Sequence, residues 1–274
     1  MRGIIRSRDR FAQTVRSNTI RRVVPSITAM IVNATQNGWQ VIYHRAHALL
    51  AAQIAGQWRR KDSPPRLYET VAAISHHDDL EREWEENNLN KAGAPKDFTQ
   101  DTDQETDYHS LRKHIEGSLY RGRWVALLVS IHLYRLNLAK SGTPEADKFL
   151  QEQLENQKRW RENLGISEEA AIQAYDFLQW CDRCSLILCQ QELPADERRL
   201  EISKAHDGQD YDIKQLENGL VTVTPWCFQD DQFTVNVETT VLTQVKFESN
   251  DELTEALKTA PRKLLEWTFV KDAA

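Results

Sequence analysis

MIVNATQNGWQVIY (Met30–Tyr43), running without a break into HRAHALLAAQIAGQW (His44–Trp58), is the stretch that decides the fold class. Met30-Ile31-Val32 and Trp39-Gln40-Val41-Ile42-Tyr43 are β-favouring runs on either side of Asn37-Gly38. That dipeptide predicts a hairpin, because a tight two-residue turn asks for positive φ at both positions. From Tyr43 the apolar period becomes helical. Tyr43, His47, Leu50, Ile54 and Trp58 then line one stripe, which predicts a helix with that face turned inward. Ser63-Pro64-Pro65 ends it.

Working outward, a second helix is expected from about Arg66 to about Glu85, with the stripe Leu67, Thr70, Val71, Ile74, His77 and Asp78. A polar stretch from Asn87 to about Asp103 reads as a long loop, and long loops in compact domains are often functional. Further helical patterns cover about Glu105–Leu119, Trp124–Ala139 and Glu145–Asn163. A last one follows Ser167 as N-cap, with the seam Ile172, Tyr175, Gln179, Asp182, Leu186 and Cys189. After Pro194 the pattern turns to strands: residues 210–217 and 219–224 around Asn218-Gly219, then Phe233–Val237 and Val241–Phe247. A short helix near Asp251–Lys258 and an apolar end, Leu264–Val270, complete the chain. The expectation is a predominantly helical α+β fold. In it the N-terminal hairpin and the C-terminal third form an antiparallel sheet beside a helical core. Residues 1–29 are read as a basic, unstructured extension, 30–194 as the helical domain with its hairpin, and 195–274 as a β-rich region packed on the same domain.

Composition narrows the function classes. The chain has 274 residues and a net charge of −6. Residues 1–29 carry seven arginines against one acid, Asp9, so the body is distinctly acidic. Bulk nucleic-acid binding, which needs phosphate neutralisation, is not expected of such a body. No apolar run reaches the ~18 residues that suggest a membrane span, and no signal-like apolar run follows the N-terminus. Cys181, Cys184 and Cys189 share one predicted helix and Cys227 stands apart. That is no disulfide framework, and a cytoplasmic location is expected. Cys181-X-X-Cys184 lacks the second ligand pair of a structural zinc site.

The chemistry is carried by polar residues on apolar stripes. A charge in a core is costly unless it is paired or coordinates a metal. His47, the pair His77-Asp78 and Asp182 occupy such positions on separate segments, so they are the expected ligands of one inward-facing metal centre. Mixed imidazole and carboxylate donors suit Mn, Fe, Ni, Co or Zn better than calcium. His132, within the apolar run Val125–Leu133, and the flanking His76 and Asp79 are candidates for acid/base work or for a second ion, so one or two divalent ions are expected. His109 or His114 could join His132 there, and His44 is a further candidate beside His47. Against this stand plainer readings: core histidines bonded to backbone carbonyls, and Asp182 paired with an arginine of another helix.

The order of His47, His77-Asp78 and a distant Asp182-Arg183-Cys184-Ser185-Leu186 resembles the HD-domain superfamily of metal-dependent phosphohydrolases. His132 resembles the extra histidine of its binuclear members. Leu80 departs from the pattern, standing where that superfamily usually has glycine. More closely, the chain is similar to the domain-of-unknown-function family numbered 3891, an uncharacterised, mainly bacterial group. Gly38-Trp39, His47–Ala51, His76–Asp79 with Glu83-Trp84, Leu127–His132 and Asp182–Cys189 carry that similarity. The resemblance implies an HD-like helical core and hydrolysis of a phosphoester, a nucleotide or small phosphorylated metabolite. Arg135, Arg183 and the glutamates of residues 81–86 are further candidates for substrate contact or catalysis. An HD-like di-iron oxygenase and a non-catalytic ligand-binding or regulatory module are the alternatives.

Overall fold

The computed structural model describes residues 30–80, 88–100 and 106–272. The basic extension 1–29, the expected last turn of the second helix at residues 81–85, the glutamates of 81–86 and the Glu83-Trp84 motif lie outside the described residues.

The chain enters through an antiparallel hairpin, β1 (Met30–Thr35) and β2 (Gly38–Tyr43), in register from Met30↔Tyr43 to Thr35↔Gly38. The two-residue turn is therefore Gln36-Asn37, and Gly38 already belongs to β2, one position later than the Asn-Gly signal suggests. The glycine answers to a neighbour rather than to the turn. Its φ is +141, and a Cβ built there would lie 2.0 Å from the Leu242 carbonyl oxygen. β2 passes directly into α1 (His44–Gln57), which buries His47, Leu50 and Ile54.

The second helix, α2 (Leu67–Ile74), is shorter than expected. His76, His77, Asp78 and Asp79 lie in the turn beyond it, not on a helix. His77 Nδ1 sits 2.6 Å from the Ile74 carbonyl, an acceptor that one more helical turn would have used for its backbone. Four longer helices follow: α3 (Tyr108–Ser118), α4 (Arg123–Asn137), α5 (Pro144–Leu164) and α6 (Glu168–Cys189). Ser167 caps α6 by accepting from Ala170 N. α1 lies against α6, while α4 packs on α2, α3, α5 and α6.

The C-terminal third supplies β3 (Leu200–Lys204), β4 (Asp210–Gln215), β5 (Val221–Thr224), β6 (Gln232–Leu242), α7 (Asn250–Thr259) and β7 (Arg262–Val270). All seven strands share one sheet in the order β1-β2-β6-β7-β5-β4-β3. This corrects the expected architecture. β5 and β7 run parallel, so the sheet is mixed rather than antiparallel. An HD-like helical core standing beside it is not seen either: one continuous hydrophobic cluster takes side chains from the helices and from strands out to Phe269. β6 covers the first expected strand, Phe233–Val237, and runs on to Leu242, whereas residues 243–247 of the second expected strand are not in the sheet. A smaller cluster, with Met30, Val41, Leu242, Leu253 and Leu257, packs α7 against the hairpin. Among the described residues no helix is long and apolar enough to cross a membrane.

Candidate metal centre

α1 brings His47, the turn after α2 brings His77 and Asp78, and α6 brings Asp182. One donor atom from each lies within 4.8 Å of all the others. His47 Nε2 is 3.1 Å from Asp78 Oδ2, and His77 Nε2 is 3.2 Å from Asp182 Oδ1 and 3.4 Å from Asp78 Oδ2. Ligands around one ion at ~2.1 Å stand roughly 3–4 Å apart, so the close pairs fit and the outermost must draw in. Both imidazoles are fully buried, whereas Asp78 and Asp182 are 17% and 14% exposed. The centre thus opens to solvent on its carboxylate side.

The hydrogen bonds behind the rings fix their tautomers. His77 Nδ1 donates to the Ile74 carbonyl. Ser185 Oγ gives its proton to the Asp182 carbonyl at 2.8 Å, so at 3.0 Å it must accept from His47 Nδ1. Both neutral rings therefore turn an Nε2 lone pair towards a carboxylate oxygen. Two lone pairs at that distance repel unless a proton or a cation lies between them. The donor set accordingly fits a metal ion. Without one, burial alone would lower the imidazolium of His77, but Asp78 and Asp182 outweigh it and hold the group well above its ordinary range. Burial likewise pushes both carboxyls up. Asp78 nevertheless stays well below the usual range through the charge of His77 and the close approach of His132 and His47, and Asp182 is lowered chiefly by His77.

The remaining candidates fall around this group. His132 Nε2 stands 3.4 Å from Asp78 Oδ1, outside hydrogen-bond geometry and with no other polar partner. Its Nδ1 is 3.4 Å from the Tyr175 hydroxyl. His76 and Asp79 are not among the four donors: they bond to each other at 3.1 Å, with Arg45 on Asp79 and Arg121 on the far ring nitrogen of His76. The His76 bond, together with Arg45 and despite burial, lowers the Asp79 carboxyl to about 2. His114 lies behind the ligands, 3.2 Å from the His77 carbonyl, and burial lowers it to about 4; His109 is exposed. His44 packs edge-on to His47 and is lowered to about 4 by burial. Among the described residues no arginine pairs with Asp182, and Arg183 turns away to Glu192 at 2.9 Å. All four cysteines are buried and free, and burial raises their thiols. Residue patterning gives Ser185 no role, although it stands one turn beyond Asp182 and within the motif Asp182-Arg183-Cys184-Ser185-Leu186. Ser185→Ala frees His47 Nδ1 and is expected to weaken metal affinity about 10–100-fold, read by competition with a chelator; unchanged affinity would show that Ser185 does not hold the ring.

Residues 30–244, most of the chain, match the family model described as Protein of unknown function (DUF3891). The chain belongs to this family. No curated protein and no solved structure matches it. The matched span contains all four donors, so the candidate metal centre lies within the DUF3891 region. The comparisons lend nothing to the wider likeness to HD-domain phosphohydrolases.

Proposed function

We propose that the chain is a metal-dependent hydrolase of phosphoesters with a small-molecule substrate. One observation carries the reading: two buried imidazoles, with their lone pairs set by outer hydrogen bonds, converge with two partly exposed carboxylates. A bound divalent transition ion would acidify a coordinated water and stabilise charge on phosphoryl oxygens. His47, His77, Asp78 and Asp182 would hold it. The hydrophobic core behind the imidazoles keeps water from that side. Burial raises the Tyr175 hydroxyl, so it keeps its proton. Donated to His132 Nδ1, that proton leaves the one on neutral His132 at Nε2, facing Asp78 Oδ1. His132 then stands as a proton carrier at the rim of the centre.

The test is metal analysis of protein purified from cells supplied with Mn, Fe and Zn, then a panel of phosphoesters. Stoichiometric metal with turnover is expected. No bound metal, or metal without turnover, overturns the reading; oxygen consumption by an iron-loaded protein would reassign the centre to oxygen activation.

Metal binding should also compete with protons. A raised His77 stabilises the metal-free fold fully below its ordinary value of 6.5, and that contribution fades as pH rises through the folded-state value. The depressed carboxyls of Asp78 and Asp182 act in the opposite direction, losing their contribution as pH falls through their folded-state values. Metal at neutral pH therefore displaces about one proton from the cluster. Calorimetry in two buffers of different ionisation heat reads it; no buffer dependence would mean that His77 is not protonated in the metal-free protein.

A further inference from the structure

We propose that Arg135 and Gln179 form the anion-binding half of the site, a subsite for phosphoryl oxygens; this rests on the hydrolase reading above. Arg135 follows His132 by one turn of α4, and Gln179 precedes Asp182 by one turn of α6. The two meet: Arg135 Nη1 donates to Gln179 Oε1 at 3.2 Å and to Asp176 Oδ1 at 3.1 Å. The guanidinium stacks 4.4 Å over the ring of Tyr175, whose hydroxyl reaches His132. A guanidinium thus stands one contact away from the histidine that faces Asp78. It is 22% exposed and lies beside partly exposed Asp176 and Gln179, and Gln179 stands one turn of α6 before partly exposed Asp182.

Its donors suit an oxyanion. A guanidinium presents a planar fork that matches phosphate. Arg135 Nε is buried without a hydrogen-bond partner, an unused donor beside the one engaged by Asp176 and Gln179. With its oxygen taken by Arg135, Gln179 has its amide donors left for a ligand. Arg183, the other cation beside Asp182 in sequence, is engaged by Glu192.

The test uses the full chain loaded with Mn²⁺ and inorganic phosphate as the probe, with metal content and phosphate binding measured separately. The double variant Arg135→Gln/Asp176→Asn removes the cation without stranding a half-buried carboxylate. It should take up Mn²⁺ as the parent does, yet bind phosphate about tenfold or more weakly. Gln179→Ala should weaken phosphate several-fold, and on any phosphoester turned over both should raise KM more than they lower kcat. Should the double variant not fold, Arg135→Lys replaces it, keeping the charge but losing the fork, with a several-fold loss expected. Parental phosphate affinity in the Mn²⁺-loaded variants, or no phosphate binding by the Mn²⁺-loaded parent, overturns the subsite and leaves the metal centre standing. Failure of the parent to take up metal overturns the centre, and the subsite with it.

Discussion

Asp182→Asn protein is expected to fold and to lose metal affinity by a hundredfold or more. An outer partner of a metal ligand is worth about 10–100-fold, and Asp182 is proposed as a ligand itself. Asparagine keeps the shape and offers its oxygen, but it removes one of two negative charges from a buried donor set. Asp182 Oδ1 lies 3.2 Å from His77 and 3.9 Å from His47, so in the metal-free protein its partner is a charged His77. A merely structural carboxylate would show a different outcome: lower stability with metal content near zero in parent and variant alike. Stoichiometric metal in both Asp182→Asn and His77→Ala would place the ion elsewhere.

Trp58→Ala is expected to be the most damaging single change outside the centre. Trp58 is 1% exposed and lies just past α1. Its ring meets Trp180 and Phe177 of α6 at 4.9 and 5.2 Å, and Tyr211 of β4 at 5.6 Å. It also bridges to Phe228 through its backbone, tying the first helix to the segment before β6. Emptying such a site costs about 3–5 kcal/mol. That is a fall in Tm of very roughly 10 °C for a domain of this size. Urea unfolding monitored by tryptophan fluorescence and by circular dichroism reads the change. A loss below about 1 kcal/mol would mean that the helices and the sheet do not depend on this junction.

The donor residues were legible because each is a polar group on an otherwise apolar stripe, a pattern whose cost leaves few explanations. The structure brings the same four together. At His77-Asp78 the apolar stripe suggests a continuing helix, whereas the imidazole of His77 takes the carbonyl that the helix needed. Helix starts with their own chemistry, such as Ser167 before α6, were readable from sequence. Strand partners were not. The single parallel pairing Val221↔Phe269 joins residues 48 positions apart, and no local period records which distant strand lies alongside. The glycine at 38 shows the same limit: its need comes from Leu242, two hundred residues on. Tyr175 stands in the apolar seam and Ser185 in the Asp182–Leu186 motif, but no local pattern gives either one a histidine to hold.

The direct passage from β2 into α1 makes the geometry of the proposed metal centre depend on hairpin register. No spare residue lies between the last strand position, Tyr43, and the helix that carries His47. One inserted residue would swing that imidazole by ~100° about the helix axis and aim it away from Asp78. Over this segment chain length is therefore under as much constraint as residue identity, and a single-codon deletion here would pull the proposed centre apart while leaving all four candidate donors in the sequence.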